Sequence, residues 1–297
     1  MTHEEYLLNY RANSTIYWAG GVPWIVYRNV LRPFCHPHIQ LNLQKGEISA
    51  LLKKSKIPLA MWTNNYNINT SNWWLIIAER PYALELLRPK ARYNVRRGLR
   101  MCDVRIISGS VLSEIGYECY KTAMQRHVQS TTFDEATFKF KMARHDNNKA
   151  CDIWGVFKDE NLIGYAFYRM LDDIVYEGDV ILNQEFFKYH STYALLHTTT
   201  EYYLNELKFS SIIAGERSIS HETSWQELTE RDFLRRKLYC NLNIEYSKSY
   251  RILKNIIYHF YPIISNIQIF TNIQGKMRLL YKLEQTIRKE NVYNSIS

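Results

Sequence analysis

The densest group of chemically active side chains in this sequence is the run Glu216, Arg217, Ser218, Ser220, His221, Glu222 and Thr223, directly after the apolar segment "SSIIA". Histidine titrates near neutral pH, and a neighbouring carboxylate orients its ring. His221 beside Glu222 is therefore a candidate for proton transfer or substrate binding. Capping a helix is the structural alternative for the same residue. Arg217 either neutralises an acidic substrate group or pairs with Glu222. Ser218 and Ser220 lack the glycine-flanked elbow of a nucleophilic serine, which leaves Ser218 a place in substrate binding. A second group is Glu177 and Asp179, two apart in an apolar run, where strand alternation puts both on one face. Glu177 either handles a proton or pairs with a neighbouring cation. A third is Lys188, His190, Ser191 and Thr192, at the point where helical spacing begins. A helix start presents free N–H groups and a positive dipole end to an anion. His36 and His38 share a strand face, but with no third ligand nearby no metal is expected.

These groups need a frame. "CDIWGVFKDENLIGYAFYRMLDDIVYEGDVILN", from Cys151, is three apolar runs broken at Asp159-Glu160-Asn161 and at Asp172-Asp173. Both breaks are polar clusters of hairpin length, so a three-strand meander is predicted. From Ser191, Tyr193, Leu195, Leu196, Tyr202, Tyr203 and Leu207 recur at helical spacing, and "SSIIAGER" reads as a strand. Upstream, strands are predicted at 17–28 around Gly20-Gly21, at "IPLAMWT", at "NWWLIIAE" and at "CDVRIIS". Helices are predicted at 44–56, at 80–100 begun by Pro81, at 112–128 and at 133–144. Downstream come a helix at 225–237, a strand at "YCNLNIEYS", a helix at 250–264 and an amphipathic helix at 277–288. The two halves have similar layouts. The polar break "HDNNKA" at 145–150 is the expected boundary, giving lobes 1–147 and 148–297.

The 297 residues are 46% hydrophobic and 23% charged, a globular composition able to bury a core. The net charge of +9 fits an anionic partner. Much of it sits in Arg88, Lys90, Arg92, Arg96, Arg97, Arg100 and Arg105, either a solvated helix face or a phosphate-binding one. Five scattered cysteines with no C-x-x-C pair point to reduced thiols. The start "MTHEEYLLNY" has no hydrophobic signal core, and no run approaches the roughly 18 apolar residues of a membrane span. A cytoplasmic protein is expected. The 277–288 helix, ringed by Lys276, Arg278, Lys282, Arg288 and Lys289, either packs on the body or touches a membrane surface. P-loop, dinucleotide, zinc and helix-turn-helix patterns are absent from the sequence.

Three stretches resemble the GNAT superfamily, and more closely its FemAB-like, tandem-lobe branch. They are "RPKARYNVRRGLRMCDVRIIS", the meander with its helix from "NLIGYAFYR" to "TEYYLNEL", and "GERSISHETSWQELTERDFLRRKLYCNLNIEY". The resemblance covers most of the chain. It implies an α/β (α+β) fold of two GNAT-like lobes, each a mixed, mostly antiparallel sheet flanked by helices. It also implies transfer of an acyl group from acetyl-CoA or a longer acyl-CoA, as co-substrate, to an amine or hydroxyl of a small molecule or cell-envelope precursor.

By the same resemblance Glu177 is the general base, Tyr239 the acid for the leaving group and His221 a third catalytic residue. Leu182, Asn183, Lys188, His190, Ser191 and Thr192 hold the donor. Arg217, Ser218 and Glu222 line the acceptor side. One departure matters: the family's R/Q-x-x-G-x-G/A loop is replaced here by "KYHSTYA", with no glycine. That keeps two alternatives open. One is an aminoacyl-tRNA donor, as in FemAB proteins, with the Arg88–Arg105 cluster on the tRNA. The other is a GNAT-shaped binding module without catalysis.

Overall fold

The structure is a computed structural model and describes residues 1–10, 15–27, 29–67, 71–125, 132–219, 224–264 and 271–294. Along the chain come α1 (His3–Tyr10), β1 (Tyr17–Ala19), β2 (Val22–Tyr27), β3 (Val30–Pro33), α2 (Glu47–Ser55), β4 (Leu59–Asn64) and β5 (Trp73–Glu79). They are followed by α3 (Pro89–Met101), β6 (Asp103–Ile107), α4 (Gly109–Ile115), α5 (Tyr117–Met124), α6 (Glu135–Ala143), β7 (Cys151–Lys158), β8 (Asn161–Leu171) and β9 (Ile174–Leu182). Last are α7 (Ser191–Glu201), β10 (Ser211–Glu216), α8 (Ser224–Asp232), β11 (Arg236–Tyr246), α9 (Lys248–Ile264) and α10 (Thr271–Asn294).

Turn chemistry explains several boundaries. Gly20 and Gly21 both have positive φ, 59° and 79°, as a two-residue hairpin turn requires. Asp159 and Glu160 take the same region at 49° and 65°. The helix expected from Pro81 instead starts at Pro89, the proline at its first position. The helix expected at 112–128 is broken at Gly116, where a Cβ would meet Leu112 and Phe138. The helix expected over 225–237 stops at Asp232, because Leu234 adopts φ 55° and β11 begins at Arg236.

The chain divides into two compact units. Unit 1 is residues 1–2, 76–215 and 224–237; unit 2 is residues 3–75, 216–223 and 238–297. The expected division at 147/148 falls inside unit 1. That polar break is a surface turn (Arg144–Asn147) between α6 and β7.

In unit 1 the strands run β10-β9-β8-β7-β6, with the predicted meander β7-β8-β9 antiparallel and β10 parallel to β9. Alternation splits the meander's side chains between two faces. Trp154, Ala166, Tyr168 and Val175 pack with Ala91 and Val95 of α3 and Ala194 and Leu195 of α7. Ile153, Tyr165 and Ile181 pack with Leu112, Tyr120 and Phe138 of α4, α5 and α6. In unit 2 the order is β1-β2-β3-β4-β11, antiparallel except for the β3–β4 pair. Each unit is thus a mixed, mostly antiparallel sheet flanked by helices, the expected class.

Met277, Leu280, Leu283 and Ile287 of α10 pack into the core of unit 2 with Leu242, Tyr246 and Ile257. The side of that helix carrying these four residues is therefore a core face, the first of its two alternatives. No helix among the described residues is long and apolar enough to cross a membrane.

Candidate functional site

The chemistry in unit 1 is organised by a fork in the sheet. β10 pairs with β9 only at Ser211↔Ile174, Ile212↔Val175 and Ile213↔Tyr176. Immediately beyond, β9 shifts register against β8: Tyr168 faces Glu177 but Ala166 faces Val180. One extra residue is therefore accommodated at Gly178–Asp179. Such a bulge bends its strand and ends pairing, and Gly178 sits close to the Phe167 carbonyl, where a Cβ would stand 3.2 Å away. A lone glycine in a strand is the sequence signal for this feature.

The bulge also breaks the alternation that put Glu177 and Asp179 on one face. Glu177 turns toward α7. Asp179 is exposed, and its charge bears on Tyr165 among the residues packed on the other face.

At the apex of the fork Glu177 is fully engaged. Arg235 Nη2 donates to its Oε2 at 2.7 Å, and Trp225 Nε1 donates to Oε1 at 3.2 Å. Tyr168 Oη lies 3.4 Å from Oε2 and 3.0 Å from Thr199 Oγ1. The Glu177 and Arg235 side chains are 2% and 0% exposed. Burial foremost, then the Glu177 charge, pushes the Tyr168 hydroxyl well above its ordinary value, so it stays a donor. Burial opposes the charge on Arg235, but Glu177 holds the guanidinium protonated with its pKa raised. The expected general base is therefore an ion-pair partner shielded from solvent, the alternative its residue type allowed. Arg235, Trp225 and Tyr168 were not singled out from the sequence. Arg235 lies in the run "RDFLRRK", where nothing distinguishes the buried arginine from its exposed neighbours.

The residues expected to hold the donor lie between the end of β9 and the first turn of α7. β9 ends at Leu182, which is buried, and Asn183 caps the following 3₁₀ turn by accepting from the Glu185 N–H. His190 has φ 58° and precedes α7. The amides of Tyr193 and Ala194 both bond to the His190 carbonyl, so Ser191 and Thr192 carry the free N–H groups of the first turn. Ser191 is 1% exposed, and among the described residues its Oγ has no partner. Lys188 is exposed, its Nζ 5.3 Å from the Tyr189 ring centre. Burial first, and then the Arg97 charge, lowers the His190 pKa.

An orphaned hydroxyl beside two free amides fits an anionic oxygen. The approach is narrow, however. A Cβ at Gly98 would stand 2.6 Å from the His190 carbonyl and 3.1 Å from the Ala194 nitrogen, so α3 lies directly against this turn. With no glycine in 188–194, every residue of this loop carries a Cβ, so an anion is met by the first-turn amides of α7 and by side chains instead of a glycine-lined loop.

Around this end α3 presents Lys90, Arg96, Arg97 and Arg100 to solvent with Tyr93. Among the described residues Lys90, Arg96 and Arg100 have no acidic partner, whereas Arg88 pairs with buried Asp232, and Arg105 pairs with Asp103 and covers the Phe157 ring at 4.1 Å. Asp232, although burial works to raise it, is held below the usual carboxylate range by Arg231, Tyr193 and Arg88. A groove of about 360 Å³ beside the α3–β6 junction is lined by Arg100, Arg105 and Phe157 with Asp103, Asp159 and Glu160.

The remaining candidates lie in unit 2 or outside the described residues. The Arg217 N–H donates to the Trp74 carbonyl at 2.9 Å, its guanidinium donates to the Asn72 carbonyl and its Cζ lies 4.8 Å from the Trp74 ring centre. The Tyr239 ring meets the same tryptophan edge-on at 6.0 Å. Arg217 and Tyr239 are thus gathered by Trp74. Ser218 follows in the loop after β10, and Glu216 pairs with Arg32 at 2.8 Å. His221 and Glu222 lie outside the described residues.

No family model matches the sequence, and neither does any curated protein. Solved structures do match. FemX superposes with TM-score 0.51 at 9% identity, over 80% of this chain and 86% of FemX. The C-terminal DUF2156 domain of a candidate lysylphosphatidylglycerol synthetase from Agrobacterium fabrum superposes with TM-score 0.50 at 7% identity, over 82% of this chain and 86% of that one. At such identities the likeness is one of fold. By its fold this chain is thus similar to FemX and to that synthetase domain over most of the length of each.

Proposed function

We propose that this protein is an acyltransferase whose donor lays an extended, acyl-bearing arm along β9 in the fork. The observation that carries this reading is the loss of β9–β10 pairing beyond Tyr176 and Ile213, right at the bulge. Unpaired strand backbone there supplies donors and acceptors to an extended chain. In direct transfer the acceptor's amine or hydroxyl attacks the acyl carbonyl, its proton passes to a base, and the donor leaves as a thiolate or, on taking a proton from an acid, as a hydroxyl. Of the two β9 carboxylates only Asp179 is exposed, so in this reading it takes the proton in place of Glu177. Tyr239 is proposed as the acid for the leaving group and His221 as a further catalytic residue, and Arg217, Ser218 and Glu222 are proposed for the acceptor, an amine or hydroxyl on a small molecule or envelope precursor in the cytoplasm.

With an acyl-CoA donor, the phosphates would meet the Ser191 and Thr192 amides, Ser191 Oγ, Lys188 and His190, while Leu182 and Asn183 would flank the arm. A second reading, an aminoacyl-tRNA donor, is favoured by Lys90, Arg96 and Arg100 of α3, exposed and with no acidic partner among the described residues, and by the close packing of Gly98 on α7.

Thermal shift separates the two readings. A donor at 100 times its Kd should stabilise the folded chain by about 2.7 kcal/mol. Acetyl-CoA or longer acyl-CoAs raising the melting temperature supports the first reading. Response to aminoacyl-tRNA alone supports the second, and the log–log salt slope of tRNA binding should then fall by about 0.7–0.9 for each of Arg96→Ala and Arg100→Ala. Silence toward both leaves a binding module without transfer activity.

A further inference from the structure

Unit 2 carries an apolar surface that its own core does not use. α9 buries Ile257 and half-buries Tyr258 and Tyr261 against unit 2, yet Ile252, Leu253, Ile256, Phe260 and Ile263 are 66%, 40%, 50%, 51% and 65% exposed. At 3.6 residues per turn these five fall within an arc of about 100° running the length of the helix. A contiguous exposed stripe of this kind marks an interaction surface. The charge beside it identifies the partner. On the same helical projection exposed His259, Lys248 and Arg251 follow one another along a single edge of the stripe. The helix contains no Asp or Glu, and among the described residues neither Lys248 nor Arg251 has an acidic partner. The acid that approaches α9, Glu284 of α10, is 2% exposed and consumed by Lys254 and Arg288.

We propose that α9 is an interfacial helix that seats this protein on an anionic lipid surface, with Ile252, Ile256, Phe260 and Ile263 entering the acyl boundary and Lys248 and Arg251 at the headgroups. An apolar face bordered by cations is what binds such a surface, since apolar burial and headgroup attraction add. A second copy of this chain would bring the same cations against the same edge, where like charges repel. The inference is independent of which acyl donor the fork accepts.

The full chain is sedimented with vesicles of phosphatidylcholine alone and with vesicles half phosphatidylglycerol. Binding is expected to the phosphatidylglycerol vesicles and to be weak on pure phosphatidylcholine. Ile256→Glu, and separately the pair Lys248→Glu and Arg251→Glu, should each lower partitioning on the order of tenfold. All three sites are exposed, so an unchanged circular dichroism spectrum and melting temperature should accompany the loss. Unbound wild-type chain, or an Ile256→Glu variant that binds as well as the wild type, would overturn the proposal. So would sedimentation velocity showing a wild-type dimer that Ile256→Glu dissolves, which would assign the stripe to a second copy.

Discussion

At the scale of single residues, the pair Glu177–Arg235 shows how far residue type reaches and where it stops. A carboxylate on the strand before a helix is compatible with proton transfer and with ion pairing, and sequence spacing does not distinguish them. Burial does. Removing one member of a buried pair leaves the other charge unmet, at a cost of about 3–5 kcal/mol, whereas replacing both with apolar residues is close to neutral. Arg235→Met should therefore lower the urea-unfolding free energy by about 3–5 kcal/mol, and Glu177→Leu with Arg235→Met should recover most of it. A double variant as unstable as the single would remove the pair from this account. Loss of activity in Glu177→Gln would by itself report this instability as readily as chemistry.

Among the elements, periodicity located the strands of the meander, the start of α7 and the body of α3, because alternation and helical spacing are local. Helix ends were less legible. At the end of α8 the Asp232 carboxylate enters a buried cluster with Tyr193 and Arg88, contacts that no local pattern encodes. Gly98 makes the same point in energetic form. Within a helix, alanine is ordinarily favoured over glycine by about 1 kcal/mol. Here the added methyl would stand 2.6 Å from the His190 carbonyl, and backbone cannot yield as a flexible side chain does. Gly98→Ala should accordingly lose about 1–3 kcal/mol by denaturant titration, the reverse of the propensity. A gain in stability would mean that α3 and α7 are not in that contact.

For the whole molecule, composition indicated a globular basic chain and the resemblance indicated its fold, but the division into units was not legible. The polar stretch 145–150 marks a turn. The units are defined by contacts between residues far apart in sequence. Protonation couples to global stability through partly buried histidines, His145 and His197 besides His190. Burial lowers the pKa of His145, and burial likewise lowers that of His197, whose Nδ1 lies 3.0 Å from Tyr82 Oη. A histidine depressed in the folded state binds its proton more readily when unfolded. Its contribution is complete above the unfolded value of about 6.5 and is lost as the pH falls below it. The urea midpoint should therefore drop from pH 7 to pH 5, and His145→Gln with His197→Gln should flatten that slope. An equal slope in the variant would assign the pH dependence to other groups.

The threading of the two units has a consequence for biosynthesis. Residues 3–75 belong with 238–297, so β4 acquires its β11 neighbour only after residues 76–237 have been synthesised. Residues 76–215, by contrast, can begin to assemble while the chain is still growing. A nascent protein arrested near residue 215 should already protect the meander from proteolysis while its amino-terminal segment is still cut.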